Sequence, residues 1–161
     1  MISLSTNNII EIREGKKLKL HNVLTKELTE KEVNEFSRTI QVFQEHLKAR
    51  AIHPMGPLIT YTTPYLEDGL LRNKITLITQ LSVSLHNEPK YPLSYYDELI
   101  VSNCLFARLI GPQIYSYLAN YKLQVYAFEN NFKLKGSTYT VYSGNNEDNV
   151  TVDVFAEIEN E

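Results

Sequence analysis

Two stretches of this chain follow one plan, and that repetition limits the fold more than any other feature. "MGPLITYTTP" (Met55 to Pro64) and "KGSTYTVYSG" (Lys135 to Gly144) each set a glycine before an alternating run of Thr and Tyr that closes in a turn. Each is followed by a second alternating run, "KITLITQLSV" and "NVTVDVFAEI". Period-two patterning belongs to strands with one buried face, so each half holds a hairpin. Gly56 and Gly136 mark equivalent points about 80 residues apart, a spacing that fits a duplicated unit.

A helix precedes each hairpin. In the first half, Thr29 and Glu32 form a capping box, the Thr hydroxyl accepting from the third helical position while the Glu reaches back. Val33, Phe36, Ile40, Phe43 and Leu47 follow at helical spacing, and the prolines of "HPMGP" end the run. In the second half, Pro112 suits a first helical turn, and Ile114, Leu118, Tyr121, Val125 and Phe128 recur at helical spacing as the expected core stripe. "KLKLHNVLTKE" (Lys17 to Glu27) and the apolar "YYDELIVSNCLFARLI" supply a strand ahead of each helix, and Asp68-Gly69 is hairpin-turn chemistry. "HNEPKYPLS", with Pro89 and Pro92, reads as the seam. The expectation is an α+β fold: a duplicated β-α-β-β unit forming one antiparallel sheet with two helices on one face. It is a single domain over 1–161, with pseudo-repeats at about 17–88 and 93–159. A groove between the two helices is then the natural place for a ligand.

Composition narrows the function. The net charge of -3 gives no electrostatic reason to expect nucleic acid or an anionic membrane as partner. The basic cluster "REGKKLK" reads as a solvated strand edge. The start "MISLSTNNIIEI" lacks the charged and apolar regions of a signal peptide, and no apolar stretch approaches the roughly 20 residues that span a bilayer, so a cytoplasmic location is expected. Cys104 is the single cysteine, which rules out an internal disulfide and reads as a small buried side chain. His21, His46, His53 and His86 are scattered, with no pair at metal-ligand spacing, and neither metal nor cofactor is expected. The chain has no Gly-x-Ser-x-Gly elbow, P-loop or GxGxxG, so it is read as a non-enzyme. The unusual number is 11 Tyr, beside 6 Phe and no Trp. Tyrosine suits strands, interfaces and aromatic-lined pockets alike. Tyr115 and Tyr126 flank the stripe of the second helix, and Tyr61 and Tyr139 sit at related points of the two halves. These four are the aromatic ligand-binding candidates.

The order of elements, with "CLFARLIGPQIYSYLANY" entering the second helix and "STYTVYSG" then "DNVTVDVFAEI" closing the chain, resembles the GyrI-like (SOUL, effector-binding) superfamily of small-molecule sensors. The resemblance runs from about Lys17 to Glu159. It implies an acidic ligand-binding residue in the last strand, and the matching position is Asp153, where the family usually has Glu. Strand parity sets Val152, Val154, Ala156 and Ile158 on one face and Asp153, Phe155 and Glu157 on the other, so helices covering the valine face would leave Asp153 pointing away from them. The expected function is non-catalytic binding of an apolar or amphipathic small molecule in an aromatic-lined groove. One alternative is a protein-interaction or accessory role, with a protein partner or a homodimer. Some standalone proteins that look like this one are encoded near type VII secretion genes in Gram-positive bacteria, so for this alternative the resemblance implies a secretion-related partner. A second alternative is a small-molecule hydrolase using Asp153 and Glu157 as an acid pair.

Overall fold

The computed structural model describes residues 10–146 and 148–159. The described residues form strand β1 (Ile10–Glu27), helices α1 (Glu30–Asn34) and α2 (Phe36–Ala49), and strands β2 (Ile59–Glu67), β3 (Leu70–Gln80) and β4 (Leu93–Gly111). A 3-10 turn (Gln113–Tyr115), helix α3 (Leu118–Glu129) and strands β5 (Leu134–Asn146) and β6 (Asn149–Ile158) follow. Gly56 and Gly136, matched in sequence, both adopt positive φ, 88° and 99°.

The expected open antiparallel sheet with two helices on one face does not form. The hydrogen-bonded strand order is β1-β3-β2-β5-β6-β4, closed as a barrel. Closure removes the two unpaired edges that an open sheet would leave. The strands that permit it are long: β1 has 18 residues and β4 has 19. Each carries an asparagine at positive φ, Asn22 at 50° and Asn103 at 55°. A left-handed residue inside a strand breaks the period of two and bends the chain. In β1 the buried positions pass from Leu18 and Leu20 to the adjacent pair Val23 and Leu24 across Asn22. Alternation in the sequence marks strands but not such bends, which is why a flat sheet was the simpler expectation.

Contacts divide the chain into two compact units, Lys19–Ile100 and the remainder, namely the residues up to Leu18 with those from Val101 onward. In the Lys19–Ile100 unit, β2 and β3 join through Asp68 and Gly69, both at positive φ (50° and 75°) as a two-residue hairpin turn requires. Helix α2 buries Phe43 and Leu47 with Leu24, Leu77 and Leu81, and Val33, Phe36 and Ile40 pack at the margin. Both bonds of the Thr29–Glu32 capping box are present. The single helix expected here is broken at Glu35 (φ -111°, ψ 47°), and the Thr39 hydroxyl donates to the Glu32 carbonyl at 2.9 Å.

In the other unit, α3 seats Ala119, Leu123 and Ala127 against Leu105, Ala107 and Leu109 of β4 and Val152, Val154 and Ala156 of β6. The two strands place these residues opposite one another: Leu105 with Ala156, Ala107 with Val154, Leu109 with Val152. This differs from the expected stripe. Ile114, Tyr121, Val125 and Phe128 are exposed, and only Leu118 of that set touches the core. The helix is apolar on two sides, so its spacing fits either seating. Turning the alanines inward lets the helix axis approach the strands closely, which bulky tyrosines would prevent. Leu123 is the large side chain at the centre of that contact. Leu123→Ala is expected to cost about 2–5 kcal/mol in chemical denaturation; a cost near zero would mean α3 faces the strands with its other side.

Candidate functional site

Helix α3 covers the valine face of β6, so Asp153 stands on the opposite face of the β4–β6–β5 strands. There it meets Arg108, its partner across the β4–β6 ladder. Arg108 Nε donates to Asp153 Oδ1 and Nη2 donates to Oδ2, each at 2.8 Å, a bidentate pair. The Asp153 side chain is 15% exposed and that of Arg108 43%. The guanidinium carbon also lies 5.6 Å from the centroid of the Phe106 ring, and the Lys16 ammonium lies 5.3 Å from the same ring. Phe106 meets Phe155 in a tilted contact at 5.0 Å, with both rings buried. Donating hydrogen bonds to the Asp153 carboxylate raises the pKa of Arg108. The carboxylate that the family resemblance assigns to a ligand is therefore saturated by an internal cation. Glu157 has its own cation in Lys135, at 3.9 Å, so the two acids do not form a shared pair.

The aromatic candidates divide among three places. Tyr139 is buried opposite Phe155, on the Asp153 face. Tyr115 and Tyr126 pack on the α3 side of the strands. Tyr126 stacks on Phe132 with centroids 6.3 Å apart, and its hydroxyl donates to the Glu14 carboxylate, which raises the phenol pKa. It tethers α3 to β1. Tyr61 lies in the Lys19–Ile100 unit, half-buried on β2 opposite Thr76. Asp153 and Tyr139 are thus brought to one face, and the other three are not. Arg108 was missed by sequence reasoning. The signal was there in "CLFARLI", where an arginine inside an apolar strand has to find a carboxylate.

Cys104 is fully buried, and its burial, with Glu157 nearby, pushes the thiol pKa up to about 11. A neutral, inaccessible thiol is a poor nucleophile.

The Lys19–Ile100 unit carries concave space. A cleft of about 690 Å3 runs between the C-terminal end of α2 and the segment Ser84–Leu93. That volume falls within the roughly 300–1,000 Å3 usual for small-molecule sites. Leu24, Ile52, Leu85, Pro89, Pro92 and Leu93 give it apolar walls. Its polar rim carries Arg50, Lys90, His46 and His86 against a single carboxylate, Glu88. Among the described residues, no side-chain hydrogen bond or ion pair engages Arg50 or Lys90. The end of α2 does not need them as caps. Ala51, at φ 54°, closes the helix in a Schellman turn, with Ile52 N–H donating to Leu47 O at 2.9 Å and Ala51 N–H to Lys48 O at 3.1 Å. A second hollow, of about 540 Å3 beside α1, is different: its Arg72 is hydrogen-bonded to Glu30 and lies 3.6 Å from Glu67.

Neither a family model nor a curated protein matches the chain. Among solved structures it is similar to a chain of the cryo-EM structure of the EcmrR-DNA complex in EcmrR-RPo, at 13% identity and a TM-score of 0.67. The match covers 95% of this chain and 59% of that one, so this chain spans less than two thirds of its neighbour's length. At that identity the likeness is one of fold. Among the described residues, no helix is long and apolar enough to cross a membrane.

Two outcomes test this geometry. Arg108→Ala strands a mostly buried carboxylate and is expected to cost about 1–3 kcal/mol, part of it recovered by adding Asp153→Asn. In the native protein at pH 8, well below the thiol's raised pKa, Cys104 stays unmodified by iodoacetamide in mass spectrometry and is alkylated once denaturant is added.

Proposed function

We propose that the chain is a non-catalytic small-molecule binding module whose ligand joins an anionic head to an apolar body. One observation carries this reading: the large cleft beside α2 combines apolar walls with unpaired cations. A ligand anion there would meet Arg50 and Lys90 without first displacing an internal partner, while Ile52, Leu85 and Leu93 would take its apolar part. An effector-binding role in the GyrI-like manner is the regulatory form of this proposal. The fold likeness to a chain from a DNA-bound EcmrR complex supports it, and so do the "STYTVYSG" and "DNVTVDVFAEI" resemblances. In this reading Asp153 positions Arg108 and braces the strands instead of holding the ligand. A cationic effector would have to break the bidentate pair, at the cost of leaving a guanidinium unpartnered.

Octanoate, octylammonium and octanol share a tail and differ in head charge, so a thermal-shift comparison of the three separates the alternatives. Octanoate is expected to stabilise the protein, by about 2.7 kcal/mol near 100 times its dissociation constant. Arg50→Ala with Lys90→Ala is expected to abolish the shift while leaving the unliganded melting temperature in place. A larger shift with octylammonium, or an octanoate shift that survives the double substitution, overturns the proposal.

A further inference from the structure

Helix α3 has a second apolar side. Tyr121, Val125 and Phe128 lie along it, opposite the seated Ala119, Leu123 and Ala127, and Tyr117 at the N-cap and Ile114 of the 3-10 turn continue the line; each of the five is between 54% and 86% exposed. Tyr117 and Tyr121 already meet edge to face at 5.8 Å and 87°, which fixes their rings in advance. We propose that this face is where two copies of the chain pair, helix against helix about a twofold axis.

Area is the first reason. Large side chains present roughly 150–250 Å2 each, so the stripe offers on the order of 600 Å2 per copy, at the upper end of the largest patch on an ordinary monomer. Two such faces together would bury about 1,200 Å2, which reaches the size of specific interfaces. Charge is the second. The stripe itself holds no Asp, Glu, Lys, Arg or His. Its polar neighbours Asn120 and Gln124 are neutral amides within 3.5 Å of each other, Lys122 is turned aside to the Ile10 carbonyl at 3.4 Å, and the exposed Glu129 stands at the C-terminal edge. With its single carboxylate at one end and its midpoint uncharged, the stripe sets no like charges against each other at the centre of an antiparallel pair. It also lacks the flanking cations with which a helix holds an anionic membrane surface. The stripe's midpoint is Tyr121. In an isologous pair the midpoint lies at the twofold axis and meets itself.

The test is sedimentation velocity on the whole chain across the micromolar range, with two variants at that midpoint. The native chain is expected to sediment at twice the monomer mass. Tyr121→Glu, at an exposed position, is expected to give a monomer with an unchanged circular dichroism spectrum. Tyr121→Cys is expected to form an intermolecular disulfide on mild oxidation, against a silent background because Cys104 is buried. A native chain that stays monomeric throughout overturns the proposal, and so does a dimer that Tyr121→Glu leaves intact or Tyr121→Cys cannot lock.

Discussion

The alternation of side chains along β4 and β6 governs most of what this protein presents. Leu105, Ala107 and Leu109 with Val152, Val154 and Ala156 make a smooth apolar floor, and α3 takes it. Every residue between them is thereby sent to the other face: Phe106, Arg108, Asp153 and Phe155. The floor sets two leucines among valines and alanines, and the helix meets it with Ala119 and Ala127 on either side of Leu123. The bulky residues of α3 are left on its outer side as a consequence. One periodicity of two thus fixes the place of the charged pair, the seating of the helix and the character of the exposed stripe.

Much of this was legible in the sequence, and the remainder was not for physical reasons. The hairpins, their Asp68-Gly69 turn, the Thr29–Glu32 cap and the burial of Cys104 all depend on short-range patterns, and the structure has each of them. The closed strand order depends on where long strands bend. A bend at Asn22 or Asn103 is a backbone conformation that asparagine tolerates, and nothing in its spacing announces it. The side chosen by α3 was ambiguous because Ala119-Leu123-Ala127 and Tyr121-Val125-Phe128 satisfy the same helical period. Hydrophobicity favoured the larger residues, and packing against a close floor favoured the smaller. Strand parity alone leaves the facing of Asp153 conditional on which side the helix covers, and the partner it finds comes from a strand 45 positions earlier.

The cleft beside α2 shows a similar limit. The prolines of "HNEPKYPLS" interrupt regular structure, which in sequence has the look of a seam. In the fold that irregular segment forms a wall, and its Lys90 joins Arg50 from a separate element. A chain with net charge -3 can still concentrate unpaired cations locally, because its acids are used elsewhere: Glu32 with Lys26, Glu30 and Glu67 with Arg72, Asp153 with Arg108. Net charge describes the far field, and recognition depends on which charges remain unspent near a concavity.

The ladders themselves bear on how the chain reaches this state. Val23 pairs opposite Gln80, and Cys104 opposite Glu157, so each helix has its floor only after strands distant in sequence have met. Such topologies fold slowly, since a long loop must close before its contacts can repay the lost entropy. Until β4 and β6 meet, α3 has apolar surface on both sides and a partner for neither. The hazard for this protein therefore falls in the interval of its own synthesis, when an emerging α3 precedes β6 out of the ribosome and must wait for it.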